Sequence, residues 1–428
     1  MMGAYGHAKY EQTKSSRAEW LGDVPAAWDI KKMKYLFRDH SQKGEPDATL
    51  LSVTQGQGVV PRTWVENRMV MPSGNLESFK FIEKDDFAIS LRSFEGGLEY
   101  CHHDGIISPA YTVLKRRHAD LDSGFYRHLF KSYAFISELQ TSVVGIREGK
   151  NISFEELSYS LMPIPPLSEQ RAVAAFLDDK CAKIDEAVKI KEDQIALLRE
   201  RRQIIIQDAV TRGLNPFAPM KGSGIDWLGK IPAHWDVRRN FTLFRESKRS
   251  GNANLPVLSV SIHSGVSTEE LSEEENIRSA IKIEDRTSYK EVLPGFIAYN
   301  MMRAWQGGIG SVSVHGMVSP AYVVAEPIAE VDAAFFELLY RTPVYIWQMD
   351  AASKGITDFR KRLYWDDFRN LVTILPPIDE QREIIQSIKT MTITINSGIA
   401  IKESQIAALK EYKISLINAA VTGKIKII

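Results

Sequence analysis

The stretch Pro165–Gly213 decides the architecture of this chain, and its sequence is PPLSEQRAVAAFLDDKCAKIDEAVKIKEDQIALLRERRQIIIQDAVTRG. It returns near the end of the chain as Pro376–Gly423, PPIDEQREIIQSIKTMTITINSGIAIKESQIAALKEYKISLINAAVTG. After its opening proline pair, the first copy contains no proline or glycine before Gly213. Such an uninterrupted run of roughly 40 residues predicts a helix about 60 Å long, at 1.5 Å per residue. We therefore predict two long helices, one in each half of the chain.

Apolar residues recur along both helices at alternating steps of four and three, which is heptad spacing. A long helix with one apolar stripe needs an apolar partner, and because one chain contains both copies, we predict an intramolecular antiparallel coiled coil. A generic dimerising coiled coil is the alternative. Basic residues stand at matching seam steps, Lys191 and Arg202 against Lys402 and Lys413, and we expect them to cover apolar surface or fix the register. The predicted seam consists of Leu177, Ile184, Val188, Ile195, Leu198, Ile205, Ile388, Ile395, Ile399, Ile406, Leu409 and Leu416.

A second set of short motifs repeats ahead of the two helices. Trp20-Leu21-Gly22 returns as Trp227-Leu228-Gly229, 207 residues later. Ser108-Pro109-Ala110-Tyr111 returns as Ser319-Pro320-Ala321-Tyr322, 211 residues later, so the second half contains an insertion, which we place near the acidic stretch Glu269 to Glu275. Each half therefore carries the same scaffold with altered contents.

Each half is predicted to fold as a mixed α/β domain next to its long helix, in an α+β fold with an internal pseudo-two-fold repeat. Short alternating runs bounded by turn-forming residues have strand character, and helical patches lie between them. The predicted strands are Thr49–Thr54, Phe87–Leu91, Ala110–Leu114, Pro256–Ile262, Phe296–Met301 and Ala321–Val324, and the predicted helical patches are Phe125–Gln140 and Ala333–Met349. The predicted boundaries are an N-terminal segment (1–19), a first globular domain (20–164), a first long helix (165–214), a linker (215–226), a second globular domain (227–375), and a second long helix with the C-terminal tail (376–428).

Composition excludes several classes of protein. The 54 Lys and Arg residues balance 54 Asp and Glu residues, so any basic patch that binds nucleic acid must be local or shared with a partner. The two cysteines, Cys101 and Cys181, form no CxxC motif and so indicate neither a disulfide framework nor a structural zinc site. No apolar stretch reaches the length of a membrane span and no secretory signal opens the chain, so we expect a cytoplasmic protein.

Motifs that announce catalysis are missing from the sequence. It contains no GxxxxGK[ST] phosphate loop and no GxGxxG between a strand and a helix. The Asn-Pro-Pro-aromatic tetrad of adenine amino-methyltransferases is absent too, since Asn215-Pro216-Phe217 lacks the second proline. We therefore assign no catalytic residue and no metal ligand, and we predict that the chain is not an enzyme.

The duplicated Trp-Leu-Gly openings, the Ser-Pro-Ala-Tyr segments and the two Pro-Pro-[LI]-x-Glu-Gln-Arg helix starts keep the same order in both halves. In these features the chain resembles the DNA-specificity (S) subunits of Type I restriction-modification systems, from about Trp20 to Ile425. The resemblance implies that the globular domains are target-recognition domains, each recognising one half of a split site in double-stranded DNA. It implies that the helices set the spacer and dock two modification (methyltransferase) subunits, within a complex that also contains restriction (motor and nuclease) subunits.

The same resemblance implies that this chain is non-catalytic and holds no cofactor. S-adenosylmethionine is expected on the modification subunits, and ATP with Mg on the restriction subunits. The complex is expected in a bacterial or archaeal cytoplasm.

Two loops in each half combine residue types that suit DNA. Arginine binds guanine or phosphate through paired N–H groups, and nearby glycines let a backbone approach closely. At each position the alternative is an ordinary surface charge or a buried aromatic anchor. The candidates are Arg92, Phe94, Arg147, Lys150 and Asn151 in the first half, and Arg303, Trp305, Lys354, Thr357, Arg360 and Lys361 in the second.

Two other functions stay open on sequence alone. A non-catalytic protein-interaction scaffold built on an intramolecular coiled coil suits the neutral total charge. An enzyme with an unrecognised active site would need a pocket that gathers carboxylates or histidines from dispersed positions. A basic groove on the globular domains would count against the scaffold.

Overall fold

The computed structural model describes residues 8–65, 76–91, 93–144, 151–252, 254–267, 288–355 and 361–428. The chain divides into two compact units. The first unit comprises Met1–Glu192 with Lys402–Ile428, and the second comprises Asp193–Ile401. Each unit therefore combines one set of short elements with part of each long helix. The predicted domain boundaries, which keep each helix in one piece, remain a prediction.

Short strands and helices make up the globular part of each unit. The strands of the first unit are β1 (Thr13–Ser15), β2 (Asp23–Pro25), β3 (Asp29–Lys32), β4 (Phe37–His40), β5 (Leu51–Thr54), β6 (Gly58–Pro61), β7 (Lys80–Ile82), β8 (Phe87–Ile89), β9 (Glu99–Tyr100), β10 (Gly105–Ile107), β11 (Thr112–Arg116), β12 (Val143–Val144), β13 (Asn151–Ile152) and β14 (Leu161–Ile164). Those of the second unit are β15 (Met220–Gly222), β16 (Lys230–Pro232), β17 (Asp236–Arg239), β18 (Phe244–Glu246), β19 (Ser259–Ser261), β20 (Gly265–Ser267), β21 (Lys290–Val292), β22 (Ile297–Asn300), β23 (Ile309–Ser311), β24 (Gly316–Val318), β25 (Tyr322–Pro327) and β26 (Val372–Leu375). The helices are α1 (Ser93–Gly96), α2 (Ser123–Phe130), α3 (Tyr133–Thr141), α4 (Phe154–Leu157), α5 (Leu167–Arg212), α6 (Ala333–Tyr340), α7 (Pro343–Ala352), α8 (Trp365–Phe368) and α9 (Ile378–Val421).

An antiparallel four-stranded sheet lies at the centre of each unit, with the order β4-β11-β8-β9 in the first and β18-β25-β22-β23 in the second. Successive residues of a strand point to opposite faces, which separates two cores. In β8, Phe87 lies in the main core with the helices, whereas Ala88 lies in a smaller core with the hairpin β5–β6. Ile297 and Ala298 divide in the same way in β22. Each unit thus consists of a helical layer, a sheet and a layer of short hairpins.

The six predicted strands correspond to β5, β8, β11, β19, β22 and β25. The two predicted helical patches differ from the prediction, because each consists of two helices, α2 with α3 and α6 with α7. Ser132 separates the first pair, since its hydroxyl caps α3 by accepting a hydrogen bond from the Phe135 N–H at 3.3 Å. Pro343 opens α7, since proline fits the first turn of a helix but not its interior.

The Ser-Pro-Ala-Tyr segments form the turns that enter β11 and β25. In both, the tyrosine N–H donates to the serine carbonyl, at 3.1 Å in the first unit and 2.9 Å in the second. A lysine then holds the tyrosine carbonyl: Lys80 binds that of Tyr111 at 2.6 Å, and Lys290 binds that of Tyr322 at 2.7 Å. The repeated motif therefore has the same structural role in both units.

The two long helices pack against each other within each unit, and they run antiparallel. The predicted intramolecular pairing is confirmed. Three of the basic seam residues hydrogen-bond across the pair, so they fix its register and do more than cover apolar surface. These contacts are Lys413 with Asp185 at 2.7 Å, Lys191 with Gln405 at 2.7 Å, and Arg202 with Asn396 at 2.9 Å.

All twelve predicted seam residues are buried or half-buried. Ile195 is 6% exposed, and Leu177 and Leu416 are fully buried. Several isoleucines outside the seam are exposed to solvent, as at Ile393, which is 65% exposed. Burial along α5 and α9 therefore follows the heptad pattern and not hydrophobicity alone.

The repeated Glu-Gln-Arg sequence fastens each long helix to its globular domain. Gln170 is fully buried; its Nε2 donates to the Pro165 carbonyl at 2.8 Å, and its Oε1 accepts from the Asp122 N–H at 2.7 Å. Gln381 makes the equivalent two contacts in the second unit, at 2.8 and 2.9 Å. A buried amide with both ends bonded ties the start of the helix to the cap of a short helix in the domain.

Candidate nucleic-acid interface

The first candidate loop of the second unit is the turn between β22 and β23. Arg303 lies on the surface of this turn, and its guanidinium donates to Gln306 Oε1 at 3.0 Å. Trp305 is half-buried, and its Nε1 donates to the Met302 carbonyl at 2.9 Å. The turn therefore presents an arginine to solvent while the indole anchors it.

The structure brings the second candidate loop beside this turn. Lys361 Nζ lies 5.4 Å from the centre of the Trp305 ring and pairs with Asp350 at 2.7 Å. Lys354 pairs with Asp367 at 2.7 Å, and this hydrogen bond raises the pKa of the lysine above its ordinary value. Both lysines are thus already bonded to carboxylates, which leaves Arg303 as the more available cation. Two further candidates, Thr357 and Arg360, lie outside the described residues.

The equivalent turn of the first unit lies between β8 and β9 and contains α1. Phe94 is half-buried against the main core, so it anchors the turn as Trp305 does. Asn151 opens β13, and this strand packs beside α1, which belongs to the first candidate turn. Gly97 is required here, because its φ is +80° and a Cβ would lie 2.0 Å from the Phe130 carbonyl oxygen. The remaining candidates, Arg92, Arg147 and Lys150, lie outside the described residues.

A third loop lies beside α1, the turn Gln55–Gln57 of the hairpin β5–β6. Lys131 holds this turn: its Nζ donates to the carbonyls of Gln55 at 3.3 Å and Gly96 at 2.9 Å, and pairs with Glu99 at 2.6 Å. Glu99 is fully buried, and burial raises the pKa of its carboxyl while Lys131 opposes that shift. Removal of Lys131 would leave a buried carboxylate unpaired, which is costly. The turn is therefore fixed to α1.

The second unit fixes the equivalent turn with a different pair. Arg341 Nη2 donates to the Ile262 carbonyl at 3.0 Å, and its Nη1 lies 3.4 Å from Glu337 Oε1. The other carboxylate oxygen accepts from the N–H and the hydroxyl of Ser311, at 2.9 and 2.6 Å. Ile262 stands 207 residues after Gln55, so the position that is held is the same in both units. In both, the cation directly follows a helix of the main core, α2 or α6.

These hairpin turns are absent from the candidates that the sequence yields. One signal marks them: Gly58 and Gly265 stand 207 residues apart and both have positive φ, +76° and +70°. A glycine repeated at a turn indicates backbone geometry that both copies keep. The two cations share one position, since Lys131 and Arg341 stand 210 residues apart and follow α2 and α6, but their carboxylates, Glu99 and Glu337, do not align between the halves.

Three observations limit other kinds of site in the described part of the chain. No group of three His, Cys, Asp or Glu side chains there is arranged to hold a metal ion. Cys101 and Cys181 are free and buried, and burial raises the pKa of the Cys101 thiol to about 12. No helix of that part combines the length and apolar character that a membrane span requires.

Solved structures share this architecture. A chain from a structure on complex assembly and conformational transition of the type I R-M system has a TM-score of 0.64 at 13% identity, covering 93% of this chain and 98% of that chain. The crystal structure of the HsdS subunit from Thermoanaerobacter tengcongensis has a TM-score of 0.55 at 14% identity, covering 94% and 98%. At these identities the likeness establishes a shared fold.

Curated proteins with similar sequences are specificity subunits of Type I restriction enzymes. The Type I restriction enzyme EcoBI specificity subunit of Escherichia coli is 20% identical over 376 residues, 82% of this chain and 76% of that subunit. The EcoKI specificity subunit of Escherichia coli K12 is 25% identical over 286 residues, 63% of this chain and 58% of that subunit. The putative MjaX specificity subunit of Methanocaldococcus jannaschii is 19% identical over 469 residues, 98% of both. No family model matches the chain. These comparisons confirm the resemblance to Type I specificity subunits that the repeated motifs predict.

Proposed function

We propose that this chain is the DNA-specificity subunit of a Type I restriction-modification complex, in which each globular domain recognises one half of a bipartite site in double-stranded DNA. The observation that carries the proposal is the duplication itself: both units place an anchored turn and a neighbouring loop side by side on one scaffold. The major groove presents a distinct pattern for each base pair, which two different sets of loop residues can distinguish. The neutral total charge supports phosphate contacts that are local on this chain or shared with partner subunits.

The long helices, in this proposal, set the spacer between the half-sites and dock two modification subunits. Exposed apolar residues on the helices support a docking role, because a partner subunit that covered them would remove apolar surface from water. In the second unit, four of them are between about half and two thirds exposed. They are Leu197 at 62%, Ile204 at 52%, Ile393 at 65% and Ile401 at 60%. Insertions or deletions within the helices should then alter the spacer without altering either half-site.

Catalysis belongs, in this proposal, to the partners. This chain supplies neither active site nor cofactor; S-adenosylmethionine acts on the modification subunits, and ATP with Mg on the restriction subunits. The lack of a phosphate loop and of a dinucleotide-type glycine motif supports this division of labour. We place the complex in the cytoplasm of a bacterium or archaeon, where it meets its DNA.

The test is to sequence the methylated positions of host DNA when the full chain is expressed with its modification subunit. A methylated motif in two parts, separated by a fixed number of unspecified bases, is expected. Methylation without a bipartite motif, or none that depends on this chain, would favour the scaffold alternative. Binding of S-adenosylmethionine, or nuclease activity, by the purified chain alone would contradict the division of labour.

A further inference from the structure

Lys131 and Arg341 each hold a hairpin turn through its backbone carbonyls. Each hairpin, β5–β6 or β19–β20, is a two-stranded ribbon of its own, and its turn ends in exposed side chains. Gln55 and Gln57 are exposed in the first unit, and His263 is exposed in the second. Each exposed turn is held by an ion pair that is partly withdrawn from water, which indicates that the position of the turn matters.

We propose that these two turns contact base edges in DNA, so that Gln55 and Gln57 determine specificity in the first half-site, and His263 with Ser264 in the second. This inference rests on the proposed function and adds the residues that discriminate. Lys131 and Arg341 are positioning residues, because their cationic groups bond to the backbone carbonyls of the turns. They do not touch the DNA.

The chemistry of the turn side chains fits bases better than phosphates. Phosphate contacts draw mainly on Lys and Arg, whereas the tips of these turns carry amides, an imidazole and a hydroxyl. Glutamine binds the N6 and N7 of adenine through two hydrogen bonds, and serine accepts from or donates to several base edges. A two-stranded ribbon also fits the width of the major groove, about 12 Å.

The geometry of the turns fits a recognition element that must not move. The Gln57 N–H donates to the Thr54 hydroxyl at 3.1 Å, and that hydroxyl donates to the Gly58 carbonyl at 3.0 Å. A Cβ at Gly58 would lie 2.5 Å from the Tyr100 carbonyl oxygen, so the turn packs tightly on its neighbour. Preorganisation of this kind lowers the entropy that binding would otherwise lose.

The turn also lies where the other candidate contacts lie. The Gln55 side chain approaches to 3.2 Å the point where a Cβ on Gly96 would stand, and Gly96 ends α1. In the second unit β20 packs beside β23, the strand that follows the Arg303 turn. The scaffold residues Thr54 and Ser261 are similar in the two copies, while the residues at the tip differ, as two different half-sites would require.

The experiment compares the wild type with four variants of the full chain, each expressed with its modification subunit, by sequencing the methylated positions of host DNA. Gln55→Ala with Gln57→Ala should relax the motif at one or two positions of a single half-site, with roughly tenfold or greater loss of discrimination there. His263→Ala with Ser264→Ala is the matched control and should relax the other half-site only. Lys131→Met should relax the same half-site as the glutamine variant, and Lys131→Arg should restore it; thermal melting separates this effect from unfolding.

Each result decides between distinct outcomes. If the wild-type motif is bipartite and both turn variants keep it unchanged, the inference is wrong and the proposed function stands. If the wild type yields no bipartite motif, both fail. Weaker methylation with an unchanged motif would make the turns phosphate contacts, and loss of co-purification with the modification subunit would make them a protein interface; either overturns the assignment. Because the turn side chains are exposed, their alanine variants remain decisive even where Lys131→Met does not fold.

Discussion

Each unit buries a tryptophan at the same position, Trp28 or Trp235, but the hydrogen bonds around the two indoles differ. Trp235 Nε1 donates to Glu380 Oε2 at 2.9 Å, whereas Trp28 Nε1 has no partner among the described residues. Glu169, which occupies the position of Glu380 in the first unit, accepts a hydrogen bond from the Tyr10 hydroxyl instead. Both tryptophans are fully buried. The repeat therefore preserves where apolar volume lies, and lets the polar partners change.

The hairpin turns also keep their position in both units while a polar partner changes. Lys131 with Glu99 holds one turn, and Arg341 with Glu337 holds the other; the two cations occupy the same position, but the two carboxylates do not align. Close packing restricts the residues that can fill a core position, so core positions repeat in sequence. A cation on a long side chain can pair with a carboxylate at any of several neighbouring positions, so the cation stays in place while its carboxylate partner changes during divergence. Variants at equivalent positions of the two units therefore test which features both units have kept.

The largest difference is expected on the helical seam. Ile195→Asp places a carboxylate at a position that is 6% exposed, and we expect it to lower the free energy of unfolding by about 4 kcal/mol. The equivalent Ile406 is half-buried, so Ile406→Asp should cost less. Ile393→Asp, at a position 65% exposed, is the control and should change stability by less than about 0.5 kcal/mol. Urea denaturation measures all three, and an unchanged midpoint for Ile195→Asp would contradict the pairing of the helices.

The buried Gln170 and Gln381, which fasten each long helix to its domain and form what we call the glutamine latch, should contribute equally to stability in the two units. Gln170→Leu and Gln381→Leu each leave a buried N–H and a buried carbonyl without partners, and each should cost about 3 kcal/mol. Gln203→Leu, on an exposed face of α5, is the control and should be nearly neutral. Denaturant unfolding of the three variants tests the equivalence. A large loss in one unit with none in the other would show that the latch is not a shared feature.

The sequence predicts the repeated skeleton and misses its polar connections. Heptad spacing locates the seam, and alternating apolar residues locate β8, β11, β22 and β25, because both patterns record burial. It misses the breaks at Ser132 and Pro343, where caps divide single apolar patches into two helices. In the sequence the latch is visible only as a repeated motif, because the N–H that Gln170 binds belongs to Asp122, 48 residues away. The Glu99–Lys131 pair leaves no pattern, because nothing in sequence links a buried carboxylate to a cation 32 residues later.

The candidate interface predicts an asymmetric response of the half-sites. Arg303→Ala removes the surface cation of one turn, and it should weaken recognition of one half-site by about 2 kcal/mol, which is typical of a lost guanine contact. The other half-site should keep its preference. Arg238→Ala, at an exposed arginine paired with Asp236, is the control. The methylated motif measures the effect, and equal loss at both halves, or none, would contradict the assignment of Arg303.

The different bonds of the two tryptophans predict a smaller asymmetry in stability. Glu380→Ala leaves the buried Trp235 N–H unbonded and also removes the partner of His234, at a cost of about 1.5 kcal/mol. Glu169→Ala should cost less, because it releases Tyr10, which is only partly buried. Trp235→Phe combined with Glu380→Ala separates the hydrogen bond from packing, and a double-mutant cycle with no coupling would contradict the bond.

The smallest expected difference depends on pH. Asp86 precedes β8, and burial raises the pKa of its carboxyl to about 6, whereas the second unit has Phe296 before β22. A raised carboxyl pKa favours the protonated form in the folded state, so this contribution to stability is present below about pH 4 and is lost as the pH rises through about 6. Asp86→Asn never ionises, so relative to the wild type it should gain on the order of 1 kcal/mol between pH 4 and pH 8, with the lost pair to Lys115 offsetting part of the gain. A stability difference between Asp86→Asn and the wild type that stays constant across this pH range would contradict the raised pKa of Asp86.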